Sequence, residues 1–294
     1  MSGSMKGVSS LKSMVIITGA TGGLGKAFAV ECAIRGFDLF LTDISEASLA
    51  RLSESLANTY NVYVHYYCCD LTDADSRADL YEHIQSRCFM FSFLINIAGL
   101  DFEGAFTERT PNQIRTMVRL NIEANLELTH ELLKLRDPAR TFRIINVSSL
   151  AAFYPMPIKA MYSSSKRFLL NFSRALVEEL RSQDVTITVL CPAGMPTTPA
   201  CIEAIEAQGL MGRITTCNVG YVASKTIDAA LRGKPVYIPG LLNRLLRAAG
   251  SVVPDSLVAR VVGSRWNMAQ GRRSAKLDNV KDNAVRDYAA IRNL

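Results

Sequence analysis

Seven short apolar runs separated by helical patterns limit what this chain can fold into more than anything else in its sequence. The runs are "MVIITG" (14–19), "DLFLTD" (38–43), "VYVHYYCCD" (62–70), "FLINIAG" (93–99), "RIINVSS" (143–149), "TITVLCP" (186–192) and "PVYIPG" (235–240). Their apolar residues are consecutive rather than alternate, so both faces of each strand need cover. Between them lie "LGKAFAVECAIRG" (24–36), "ISEASLARLSESLANTY" (44–60), "IRTMVRLNIEANLELTHELLKL" (114–135) and "YSSSKRFLLNFSRALVEELRSQ" (162–183), which read as helices. Strand and helix in alternation specify a parallel sheet with helices on both sides. The expected class is α/β, with a single doubly wound domain of about seven strands over residues 1–240 and a helical C-terminal extension over 241–294.

Composition narrows the function. Of 294 residues, 49% are apolar and 20% charged, as in a globular protein with a sizeable core. No apolar run reaches the roughly 18 residues of a membrane span, and "MSGSMKGVSSLKS" lacks the apolar core of a signal peptide. None of the seven cysteines form Cys-x-x-Cys; Cys32, Cys68, Cys69 and Cys191 sit in apolar stretches as reduced thiols. His65, His83 and His130 lack metal-ligand spacing. A soluble, cytoplasmic, metal-free protein is expected. From Arg232 onward there are twelve Lys/Arg against four Asp/Glu, while the preceding residues have twenty-one against twenty-three. The positive excess therefore belongs to the tail, which argues against a nucleic-acid-binding domain.

"TGATGGLG" (18–25) follows the first strand and opens the first helix, the arrangement of a Rossmann-type dinucleotide site. Gly19, Gly23 and Gly25 let the turn close and bring backbone N–H groups, with Leu24, against a pyrophosphate. Asp43 ends the second strand, where a carboxylate accepts ribose hydroxyls and repels a 2′-phosphate. Neither Ile44 nor Gly22 offers the cation an NADP site uses, so NAD (NADH) is the expected cofactor. Asp43 also suits a helix start beside Ser45. Asp70 and Leu71, in "CCDLTD", end the third strand near an expected adenine site, with Thr72 or Asp73 as caps of the next helix. Asn96, Ala98 and Gly99, in "NIAG", end the fourth, where glycine permits close approach of a ligand.

"YSSSK" (162–166) alone is only a helix face with a tyrosine and a lysine as neighbours. In company with "TGATGGLG", Asp70, "NIAG", Asn121, "INVSS" and "CPAGMPT", in this order, it resembles the short-chain dehydrogenase/reductase family over residues 14 to 240. Ile97 stands where the family has a second asparagine, and Ala193 where it has the glycine of Pro-Gly. The resemblance implies Tyr162 as general acid/base, Lys166 as the cation that favours its phenolate and holds the nicotinamide ribose, and Ser149 as hydrogen-bond donor to the substrate oxygen. Asn121 is implied as the residue that bends its helix and anchors a water beside the lysine; otherwise it is a solvent-facing helical asparagine. Ser148 rivals Ser149, though spacing to Tyr162 favours Ser149. Pro192, Gly194 and Thr197 match the segment that closes over the nicotinamide, with Thr198 as the alternative to Thr197.

Residues 198 to 217 then form an expected substrate lid, rich in Ala, Ile, Leu and Met. With Phe153, Tyr154, Met156 and Pro157 they suit a bulky apolar small molecule as substrate, a hydroxysteroid before a 3-oxoacyl thioester. A non-catalytic nucleotide- or partner-binding protein is the alternative, opposed by the complete Ser149, Tyr162 and Lys166. The extension "LLNRLLRAAGSVVPDSLVARVVGSRW" (241–266) has apolar residues at helical spacing with interleaved arginines. It is expected to pack over the pocket or a partner subunit of a homodimer or homotetramer, in preference to an acidic membrane surface.

Overall fold

The computed structural model describes residues 13–264 apart from Thr198 and Ser251; the alternative Thr198 and the chain after 264 lie outside the described residues. The seven apolar runs become β1 (Met14–Thr18), β2 (Leu39–Asp43), β3 (Val64–Cys68), β4 (Phe91–Asn96), β5 (Phe142–Val147), β6 (Val185–Leu190) and β7 (Val236–Tyr237). They form one parallel sheet in the order β3-β2-β1-β4-β5-β6-β7. The helices are α1 (Gly23–Ile34), α2 (Glu46–Tyr60), α3 (Ala74–Ser86), α4 (Pro111–Val118), α5 (Ala124–Lys134), α6 (Ala160–Glu179), α7 (Pro199–Ala207), α8 (Leu210–Thr215), α9 (Val219–Leu231), α10 (Leu241–Gly250) and α11 (255–264).

Alternate strand residues feed two cores, as the pleat requires. Val15, Ile17, Leu39 and Leu41 pack with Phe28 of α1, Leu49 of α2 and Ile227 of α9. Met14, Ile16, Phe40 and Leu94 pack on the other face with Leu80 of α3 and Leu128 of α5. Each such side chain contributes roughly 1.5–3 kcal/mol on burial. The consecutive apolar pattern is thus explained by two covered faces.

Buried polar groups tie the layers together. Asn96 Nδ2 donates to Asn146 Oδ1 at 2.9 Å, and Asn146 Nδ2 donates to Ser173 Oγ at 2.8 Å, linking β4, β5 and α6. Arg77 of α3 is 0% exposed. Its guanidinium donates to both Glu127 oxygens (2.6 and 2.9 Å), to Glu123 (2.5 Å) and to the Leu71 carbonyl (2.9 Å).

The sequence predicts one helix over 114–135; the structure begins it earlier and interrupts it. Thr110 and Gln113 form a capping box around Pro111, the first residue of α4. A π-helical turn, Arg119–Glu123, then separates α4 from α5. Asn125 Nδ2 draws in the carbonyls of Leu120 and Asn121, both at 3.1 Å. Such turns occur frequently at functional sites.

α10 is docked to the body by buried Asn243, whose Nδ2 donates to the carbonyls of Pro239 (2.9 Å) and Thr215 (3.0 Å). The Tyr154 hydroxyl donates to the Leu246 carbonyl at 2.8 Å. Leu241 and Leu245 remain exposed on α10. Among the described residues, no helix is long and apolar enough to cross a membrane.

Candidate active site

The connections after β1 and β4 run to opposite sides of the sheet, which opens a crevice at the strands' carboxyl ends. A cleft of about 1030 Å³ lies there, lined by the glycine turn at one end and by Tyr162 and Lys166 at the other.

The glycine turn is built for close approach. Gly19 has φ +63°, and a Cβ on it would come within 3.0 Å of the Ala98 backbone. A Cβ on Gly23 would sit 2.9 Å from the Thr197 carbonyl oxygen. Thr18 Oγ1 accepts from the N–H groups of Ile97 (3.0 Å) and Ala98 (3.1 Å), which clamps the end of β4 beside the turn. Asp43 Oδ2 accepts from Thr21 N at 2.9 Å and Oδ1 from Ile44 N at 2.7 Å. The carboxylate at the end of β2 therefore braces the turn that it neighbours, while α1 starts at Gly23 with its first N–H groups outside the helical ladder. Leu24, Gly25, Asp70, Leu71, Ala98, Gly99, Pro192, Gly194 and Thr197 also line the cleft. This cradle fits a dinucleotide: small residues where a side chain would collide, a helix N-terminus, and a carboxylate at the expected ribose position. Asp73, not Thr72, caps α3, accepting from Ser76 N at 2.9 Å; Asp70 Oδ1 instead accepts from both the N–H and the hydroxyl of Thr72.

At the other end, Tyr162 enters from the start of α6 and lines the cleft with Ser149, two residues beyond the end of β5. Ser149 Oγ accepts from Ala151 N at 3.1 Å. The two serines differ in position: Ser148 is buried and its hydroxyl donates to the Lys166 carbonyl at 2.8 Å. Lys166 Nζ donates to the Val147 carbonyl at 2.9 Å and lies 5.8 Å from the Tyr162 ring centre. Burial pushes the Tyr162 phenol above its ordinary value, opposed by the neighbouring Ser149 side chain. Burial also lowers the Lys166 ammonium to about 8. Both groups are thus drawn toward their neutral forms.

Two predicted residues do not reach the cleft. Asn96, expected at the cofactor, turns into the sheet core toward Asn146, since its side chain alternates away from the crevice. Asn121 is 0% exposed, which excludes the solvent-facing reading. Its Oδ1 accepts from Leu100 N (2.9 Å) and its Nδ2 donates to the Leu100 carbonyl (2.9 Å) and Ser165 Oγ (3.2 Å). It joins the segment after β4 to α6 beside Lys166, within the π turn that interrupts its own helix. A Cβ on Gly99 would come within 3.2 Å of both Asn121 Oδ1 and Lys166 Nζ.

The cleft also contains residues outside the predicted set: Asp101, Lys159, Leu246 and Val262. Leu246 and Val262 belong to the extension, and only folding brings them here. Lys159 lies three positions before Tyr162, but no motif marks it.

The short chain dehydrogenase family model matches residues 13–208. Human 17-beta-hydroxysteroid dehydrogenase type 3 is 32% identical over 192 residues, 64% of this chain and 61% of that protein, so the matched stretch spans about three fifths of the relative's length. Very-long-chain 3-oxoacyl-CoA reductase-B of Danio rerio is 28% identical over 267 residues, 82% of this chain and 85% of that one. Among solved structures, a short-chain dehydrogenase from Sphingobium yanoikuyae in complex with NADPH superposes with a TM-score of 0.69 at 25% identity, covering 83% of this chain and 97% of that one. By the match of its first strand through its seventh helix and by the seven-stranded parallel sheet beneath this cleft, the chain belongs to the short-chain dehydrogenase family.

Proposed function

We propose that the protein is an NAD(H)-dependent oxidoreductase that interconverts a secondary alcohol and a ketone on a bulky apolar substrate, a hydroxysteroid first. The observation that carries this is the placement of Tyr162 and Ser149 on the wall of one cleft with Lys166 and the glycine turn. The nicotinamide supplies or accepts the hydride when bound. Gly19, Gly23, Leu24 and Asp43 would hold the cofactor's adenosine and pyrophosphate, and Lys166, Gly194 and Thr197 its nicotinamide half.

In reduction, Tyr162 Oη gives its proton to the ketone oxygen while the Ser149 hydroxyl donates a hydrogen bond to the same oxygen. The raised phenol is protonated at neutral pH, the form that reduction consumes. Lys166 then faces the phenolate as a cation, and Asn121 keeps α6 in place behind it. In oxidation the proton moves the other way.

NAD is supported over NADP by the charges at the ribose end. Asp43 lines it, and the cations among the lining residues, Lys159 and Lys166, stand at the tyrosine end. The substrate class is supported by Leu100, Leu120, Met156, Met195, Leu246 and Val262 on the cleft wall. A 3-oxoacyl thioester is the second reading, favoured by the long match to the Danio rerio reductase. Turnover of steroid ketones against 3-oxoacyl thioesters, each with NADH and NADPH, tests the proposal. Tyr162→Phe should lower turnover by about 100-fold or more with NADH affinity nearly unchanged. Substantial turnover by that variant would remove Tyr162 from its role.

A further inference from the structure

Tyr162 stands between two lysines, of which only Lys166 belongs to the Tyr-x-x-x-Lys pair. Lys159 Nζ lies 5.7 Å from the centre of the Tyr162 ring, against 5.8 Å for Lys166. Lys159 is the residue just before α6, three positions ahead of the tyrosine, and Lys166 sits one turn after it. Lys159 is held in place: its ammonium pairs with Asp101 Oδ2 at 2.5 Å and with Glu103 Oε2 at 2.9 Å. Both carboxylates come from the segment after β4, and Asp101 and Lys159 line the cleft. These side chains are 14% (Lys159), 21% (Asp101) and 19% (Glu103) exposed, so solvent screens the cluster poorly.

The backbone is committed to the same arrangement. Ile158, just before Lys159, has φ +71°, a left-handed conformation that a β-branched residue adopts only under constraint. Gly104 N–H donates to the Ile158 carbonyl at 3.0 Å. The segment that carries Asp101 and Glu103 therefore also fastens the strained residue that aims Lys159. Strain of this kind persists where the surroundings over-determine it, and it clusters at functional sites.

We propose that Lys159, clamped by Asp101 and Glu103, is a second positioning lysine for Tyr162, one that sets the pH at which the tyrosine exchanges its proton. The inference rests on reading Tyr162 as the proton-transfer group. The charged and titratable groups around that phenol are Lys166 from its own helix, Lys159 from the residue that precedes that helix, Asp101 and Glu103 from the segment after β4, and Cys201 from α7. Lys159 favours the ionised phenol and Asp101 opposes it, so removing the two charges has opposite consequences.

The test is a titration of Tyr162 that needs no substrate. With tyrosine ¹³C-labelled at Cζ, the resonance missing from Tyr162→Phe identifies this ring, and its shift is followed against pH. Asp101→Asn should lower the midpoint by about one pH unit, Lys159→Met should raise it by about as much, and Lys159→Arg should leave it near wild type. The pH dependence of kcat for alcohol oxidation should show the same order of variants. Midpoints within about 0.3 unit of wild type in both Asp101→Asn and Lys159→Met, or shifts of the same sign, overturn the proposal. Should Lys159→Met not fold, Lys159→Gln, which keeps a polar head for Asp101, takes its place: a rise supports the proposal and no change overturns it. Retained turnover in Tyr162→Phe would instead sink the assignment of the tyrosine, while the ring titration would still report what Lys159 does to it.

Discussion

Replacing Lys166 with methionine should stabilise the protein at neutral pH and at the same time remove its activity. Lys166 is 4% exposed, and burial lowers its ammonium from 10.5 to about 8. Between those values the unfolded chain holds a proton that the native state has released. Stability therefore rises with pH through that window, and the cost of the buried charge is present in full below pH 8. A shift of this size corresponds to about 3 kcal/mol. Methionine occupies much of the lysine stem without the charge, but it loses the 2.9 Å bond to the Val147 carbonyl, which offsets about 1 kcal/mol. The variant should thus gain about 2 kcal/mol at pH 7, and the gain should shrink above about pH 8 and reverse near about pH 10. Urea unfolding without cofactor, at one protein concentration and at several pH values, measures this directly. A methionine variant less stable than wild type at pH 7, or a difference that does not change with pH, would refute the reasoning. The expected outcome is a site that sacrifices stability for a buried cation.

Arg77→Met should destabilise the fold by about 3 kcal/mol, since four short bonds are lost but both glutamates are partly solvated, and should lower Tm by roughly 6–12 °C; a change under about 1 kcal/mol in thermal unfolding would contradict the clamp. Gly250→Ala would place a Cβ 2.3 Å from the Tyr154 ring, so α10 should shift and the Tyr154–Leu246 bond should break. KM for an apolar ketone should then rise with kcat little altered, and unchanged KM would show that α10 does not shape the cleft. Asp43→Ala combined with Ile44→Arg should narrow or reverse a wild-type preference for NADH, read as kcat/KM for the two cofactors. A wild-type preference for NADPH would overturn the reading of the end of β2.

The sequence by itself determined the layers of this protein. Consecutive apolar residues such as Val15–Ile17 and Leu39–Leu41 demand cover on both faces, and helix between strands forces parallel pairing, so the doubly wound sheet follows from local pattern and connection length. The glycine turn, Asp43, Ser149, Tyr162 and Lys166 were legible for a related reason: each sits at a strand end or in the first turns of a helix, and the carboxyl edge of a parallel sheet collects such positions. What a side chain meets across the fold was not legible. Asn96 and Ala98 read alike in "NIAG", yet one turns into the core and the other lines the cleft. Ser148 and Ser149 differ by one position, and the packing of α6 on β5 makes one a brace for Lys166 and leaves the other on the cleft wall with Tyr162. Asn121 became a buried strut only because the chain after β4 returns to it as a π turn. Lys159 resembles any surface lysine until Asp101, fifty-eight positions earlier, is folded against it. Pattern and spacing are local properties, so they decide which element a residue belongs to; charge pairing, burial and close contact depend on distant parts of the chain, and tertiary structure alone decides them.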